Sequence, residues 1–137
     1  MTIAVKTEDK GMGLAIDITG VASAAAGGQG ALANPEGVNL LILRSYLYVD
    51  VASTGAANID VGIGAAAATD ATDIINALAM NGAIAGKVYN GNTIQTTTKT
   101  EVSAPAVWTP SKFLCITGSA SLVGLKATLY IEYVRAP

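Results

Sequence analysis

The sequence predicts an all-β fold: an antiparallel, jelly-roll-like sandwich of about eight strands with one short helix and an extended N-terminal arm. Three observations predict it. Several segments alternate apolar and polar residues with period two, most clearly "LRSYLYVDV" and "ATLYIEYV". Long helical patterns are missing. The strand segments alternate instead of running apolar throughout, which speaks against strands buried on both faces of a parallel sheet. A length of 137 residues implies one domain. We divide it into a flexible arm over 1–13 and a sandwich domain over 14–137.

The arm mixes Lys6, Glu8, Asp9 and Lys10 with Gly11 and Gly13 and has no clear period. "LAIDITGV" follows as a strand, with Leu14, Ile16 and Ile18 on one face. "ASAAAGGQGALANPEG" reads as a loop because of its glycines and its Asn34-Pro35-Glu36-Gly37 turn. Val38 to Val51 carries the strongest strand signal. Leu43, Ser45, Leu47, Val49 and Val51 share one face; Arg44, Tyr46, Tyr48 and Asp50 share the other. "NIDVGIG" is the next strand, with Ile59, Val61 and Ile63 inward and Asp60 outward. In "AAAATDATDIINALAMNG", Asp70 or Thr72 caps a helix of about two turns that Asn81-Gly82 ends. "AIAGKVYNGN" is a weak strand. "TIQTTTKTEVSAPAVWTP" is extended, and Pro105 and Pro110 bar it from a central strand. "KFLCITGSA" and "LVGLKATLYIEYVR" are strands joined by a short turn near Gly118 to Ser121.

Composition narrows the function. Hydrophobic residues make up 51% and charged residues 13%, about half the usual charged fraction. Aromatics are 5%, so the apolar content is mostly small aliphatic side chains. A surface so poor in charge is expected to be covered, most simply by other subunits. The net charge of −2 and the scattered basic residues exclude a nucleic-acid footprint. The first residues lack the apolar core of a signal peptide. The longest apolar stretch is broken by Arg44, Ser45 and Asp50, too polar for a membrane span. We expect a soluble protein made in the cytoplasm of its producing cell.

No catalytic set emerges, and we expect neither cofactor nor enzyme activity. The chain has no histidine, which removes the usual general base, the common zinc sets and the Ser-His-Asp triad. Cys115, the single cysteine, reads as a small buried hydrophobe on a strand. Asp70 and Asp73 lack the spacing of a calcium loop. Asp17, Asp50, Asp60, Glu101 and Glu132 each alternate outward and do not suggest a carboxylate pair. Gly62-x-Gly64-x-x-Ala67 imitates a dinucleotide-binding turn, but no acid lies between Asp73 and Glu101, where the ribose partner belongs. Trp108, flanked by Pro105 and Pro110, is either a core plug or an interface anchor. Tyr46, Tyr48 and Tyr130 occupy polar strand faces, either as a subunit contact or as ordinary amphipathic surface.

The ordered set of an Asn-Pro-Glu-Gly turn, a long alternating strand, a Thr/Gly/Ala turn, "DVGIGA", a Thr/Asp segment with "IINAL", and "LVGLKATLYIEYVR" resembles tailed-bacteriophage head decoration (cement) proteins. The likeness spans about residues 34 to 135 and is poor over 90 to 112. It implies a jelly-roll-like virion protein on the capsid exterior. Its partners would be the major capsid protein and further copies of itself, as a trimer. The family supplies no catalytic residues. Lys6, Glu8, Asp9, Lys10, Tyr46, Tyr48, Trp108 and Tyr130 are the candidate contact residues. The alternative is a phage fiber or knob module, or another receptor- or carbohydrate-binding sandwich, with an aromatic platform around Trp108.

Overall fold

A computed structural model describes residues 12–25, 28–82, 84–90 and 106–136. The predicted arm over 1–13 therefore lies outside the described residues except for Met12 and Gly13, which begin the first strand. Among the described residues nine strands follow in chain order: β1 Met12–Thr19, β2 Gly30–Ala33, β3 Leu40–Val51, β4 Asn58–Gly64, β5 Ile75–Ala79, β6 Lys87–Asn90, β7 Val107–Trp108, β8 Phe113–Gly118 and β9 Lys126–Arg135. They build two antiparallel sheets that pack as a β-sandwich. The first has the order β1-β9-β3-β6, with β7 also on β3; the second has the order β2-β8-β4-β5. The chain crosses between layers at β1–β2, β2–β3, β3–β4, β5–β6, β7–β8 and β8–β9. The segment after β8 is thus a crossover and not a hairpin turn.

The core lies between the sheets. Leu47, Val49, Ile59, Val61, Leu114, Leu129 and Ile131 are wholly or almost wholly buried, as period-two alternation dictates when one face of each sheet is apolar. On β3 the alternation is interrupted. Register shifts between Ile42 and Arg44 and between Val49 and Val51 turn Leu43 and Val51 outward, each 43% exposed. Their predicted inward placement is corrected by these irregularities, which reset which face a residue takes.

No helix is present among the described residues. The segment predicted to be helical contributes β5 instead, paired to β4. Ile75 and Leu78 are three residues apart, a helix-like spacing. A bulge places both on one face: Val61 opposes Ile75 and Ile59 opposes Leu78, so one residue of β4 faces two of β5. Ala77 absorbs the extra length at φ 52°, and the Asp60 carboxylate accepts its N–H at 2.6 Å. Edge pairing and core burial override a weak local helix preference. The loop reading of 22–37 likewise misses β2, a four-residue strand too short and too Ala-rich to show alternation.

Candidate interaction surface

The two sheets differ on their outer faces. On the second sheet, Gly62, Gly64 and Cys115 point away from the core, with Gly62 opposite Cys115. Residues 65–74 fold back over them. A Cβ on Gly62 would collide with the Asp73 carboxylate and the Ala71 backbone, and one on Gly64 with Thr69. The Asp73 side chain accepts the Ile63 N–H at 3.1 Å, and the Cys115 thiol donates to the Ala66 carbonyl at 3.3 Å. The glycines of the dinucleotide-like pattern therefore serve close packing of the chain on itself. Asp70 and Asp73 cap no helix; Asp73 holds this covering loop. Residues 114–118 of β8 are consequently buried on both faces.

The outer face of the first sheet carries no such cover among the described residues. Its central strands place Tyr46 opposite Tyr130, Tyr48 opposite Thr128 and Arg44 opposite Glu132. β1 extends two of these rows with Ala15 beside Tyr130 and Asp17 beside Thr128. β6 adds Val88 beside Tyr48. Tyr46 and Tyr48 are half-buried, while Tyr130 is 45% and Val88 63% exposed. Three of the predicted contact residues thus converge on one apolar, aromatic strip.

The strip's rim is polar. Arg44 and Glu132 approach to 3.7 Å with both side chains more than half exposed, so solvent leaves the pair worth less than about 1 kcal/mol. Thr128 Oγ1 donates to Asp17 at 3.1 Å. A depression of about 250 Å³ beyond the tyrosines is lined by Asp17, Thr19, Asp50, Lys126 and Thr128, with Ile18 and Ala127 at its apolar side. Aromatic centre and polar edge together match the anatomy of a protein-binding patch.

The remaining candidates separate. Lys6, Glu8, Asp9 and Lys10 lie outside the described residues. Trp108 is wholly buried. Its Nε1 donates to the Lys112 carbonyl at 3.0 Å, and its own carbonyl accepts Asn34 Nδ2 at 2.7 Å. It plugs one end of the sandwich, so the aromatic surface does not form around it. Of the outward carboxylates, Asp17, Asp50 and Glu132 share the first sheet, Asp60 sits on the second, and Glu101 is outside the described residues. Sequence reading missed Val88, which only the β6–β3 register brings to the tyrosines.

Asn34-Pro35-Glu36-Gly37 proves to be a structural knot. Asn34 Oδ1 accepts the N–H groups of Glu36 and Gly37, both at 3.0 Å. Glu36 accepts from Tyr133 Oη at 2.9 Å and from Arg135 Nη2 at 2.6 Å. The Arg135 guanidinium, followed by the Tyr133 hydroxyl, holds the Glu36 carboxyl below its ordinary range. Burial, then Glu36, pushes the Tyr133 phenol up. Burial likewise raises Asp60, against the opposing Ala77 hydrogen bond.

Among the described residues no group of three or more His, Cys, Asp or Glu is placed to hold a metal. No helix there is long and apolar enough to cross a membrane.

The class these features define is a β-sandwich with the centre of one outer face covered by its own loop and the other presenting an aromatic strip. No protein-family model matches the chain, and no curated protein is similar in sequence. Among solved structures, a chain described as "Capsid of Ralstonia phage GP4" shares the fold. The likeness covers 100% of this chain and 92% of that one, at a TM-score of 0.54 and 20% identity.

Proposed function

We propose that the chain is a structural protein of a phage virion. In this reading it has a jelly-roll-like fold and binds the outer surface of the head as a homo-oligomer, a trimer. It cements neighbouring major capsid proteins and performs no chemistry. The observation that carries the proposal is the fold likeness to a phage capsid chain over the whole length. The strip of Tyr46, Tyr48, Tyr130 and Val88 supports it as a contact surface, since aromatic residues dominate the energetics of protein interfaces. Buried Trp108 offers no platform for the carbohydrate-binding alternative.

Light scattering of the purified protein gives the oligomeric state; a trimer mass is expected and a monomer mass refutes that element. Incubation with undecorated heads, followed by cryo-EM, tests location. Density on the outer surface supports the proposal. Failure to bind, or density inside the shell, overturns it.

A further inference from the structure

We propose that the tyrosine strip docks onto the same strip of a second copy of this chain, with Arg44 of each copy meeting the partner's Glu132. The inference rests on the reading of the strip as a contact surface and names its occupant. It does not need the virion setting.

β3 and β9 run side by side in the middle of the first sheet, between β6 and β1. Their outward residues form four successive rows: Leu41 beside Val134, Arg44 beside Glu132, Tyr46 beside Tyr130, and Tyr48 beside Thr128. In three rows the two residues are of one kind, being two aliphatics, two tyrosines and two hydroxyl bearers. In the remaining row they are opposite in charge. Across the line between β3 and β9 the face is therefore matched in kind and reversed in charge. A two-fold contact asks for this, because residue i meets the partner's j while j meets the partner's i.

A second copy laid face to face, about an axis along the strands between β3 and β9, sets each of these strands over its neighbour's counterpart. Tyr46 then meets the partner's Tyr130, and Arg44 meets the partner's Glu132, each pair occurring twice. Packed sheets stand about 10 Å apart, a gap that a long Arg and a Glu bridge tip to tip. Tyrosine rings fill the space beside them in offset stacks. Arg44 and Glu132 are 66% and 55% exposed, and their own contact is a loose 3.7 Å, so both tips reach outward. Asp17 and the partner's Val88 come together only at the rim, where water reaches the carboxylate.

Two strands over four rows make a small interface, of the kind that associates weakly. Such a contact joins copies in pairs and cannot close a ring of three. In the proposed virion role another surface therefore closes the trimer, and the strip couples one trimer to the next.

Sedimentation equilibrium of the full chain tests this. The mass at about 1 mM should approach twice that at about 10 µM. Arg44→Glu alone and Glu132→Arg alone set like charges together at both ends of the contact and should weaken the doubling at least about tenfold. Mixing the two variants should restore it, and so should Arg44→Glu/Glu132→Arg in one chain. A mass that stays constant in the native chain overturns the proposal. So does doubling that neither variant weakens, or a mixture that restores nothing. Should a variant fail to fold, NMR of the native protein decides. Shifts that move with concentration at Arg44, Tyr46, Tyr130 and Glu132 support the proposal, and shifts confined to other strands overturn it. Failure to bind heads would sink the virion reading and leave each of these outcomes unchanged.

Discussion

Replacing Gly62 by alanine separates a phosphate cradle from a packing contact. The added Cβ would lie 2.6 Å from the Ala71 carbonyl carbon, beside the Asp73 carboxylate. Backbone cannot step aside as a flexible side chain can, so residues 65–74 must lift from the sheet. Overpacking of this kind costs about 1–3 kcal/mol. Loss of the Asp73–Ile63 hydrogen bond adds roughly 1 kcal/mol. For 137 residues the unfolding entropy is about 0.3 kcal/mol/K. A loss of about 2–4 kcal/mol therefore lowers Tm by roughly 7–14 °C. Differential scanning calorimetry reads the shift, and a thiol reagent reads the exposure of Cys115, which the lifted loop no longer shields. A Tm within about 2 °C of the parent, with Cys115 still unreactive, would refute the packing account. A Tm of the parent protein raised by millimolar NAD would refute it from the other side, since saturation at 100 times Kd adds about 2.7 kcal/mol.

Three further outcomes are expected. Ala77→Gly relieves the left-handed backbone at φ 52° and should raise stability by about 0.5–1 kcal/mol in urea unfolding, because the strain saved exceeds the entropy a glycine adds. Trp108→Ala empties the plugged end of the sandwich and should cost about 3–5 kcal/mol in the same assay. Glu36→Gln tests the knot through pH. The Glu36 carboxyl is lowered from 4.5 by Arg135 and Tyr133, so its contribution is in place above that pH and fades as pH falls through it towards the folded value. The Tm gap between parent and variant should therefore be widest near neutrality and close in acid.

Long strands were legible and short ones were not, for a physical reason. β3 and β9 alternate over many residues because each has one wet and one dry face, and period two shows in the letters. β2 has four residues and β7 two; both are held by pairing to a neighbour, which no local pattern encodes. β5 misled because a bulge lets Ile75 and Leu78 share a face at helical spacing. The bulge depends on Asp60, seventeen positions upstream. The tyrosine strip was half legible. Tyr46, Tyr48 and Tyr130 sit on the predicted polar faces, but their meeting depends on β9 pairing with β3 across the whole sandwich. Trp108 illustrates the converse, since its flanking prolines are compatible with a loop tip as much as with a buried corner.

The asymmetry between the sheets explains why so little charge is needed. On the second sheet, glycines replace side chains so that a loop from the same chain supplies the cover, and small Ala and Thr residues suffice for it. On the first sheet the corresponding face keeps large aromatic side chains, and nothing among residues 65–74 reaches it. In the proposed virion role, residues 65–74 and two close-packed glycines cover the centre of one outer face, and the tyrosines on the other, uncovered among the described residues, are the surface offered to a partner. The charge deficit read from composition then has a location: the strip of Tyr46, Tyr48, Tyr130 and Val88, edged by Arg44, Glu132, Asp17 and Lys126. Substituting Tyr46 and Tyr130 together by serine should leave Tm close to the parent's, because neither residue belongs to the core between the sheets. The same change should weaken binding to undecorated heads at least about tenfold, as loss of central aromatic anchors does. Undiminished binding would move the contact elsewhere on the molecule.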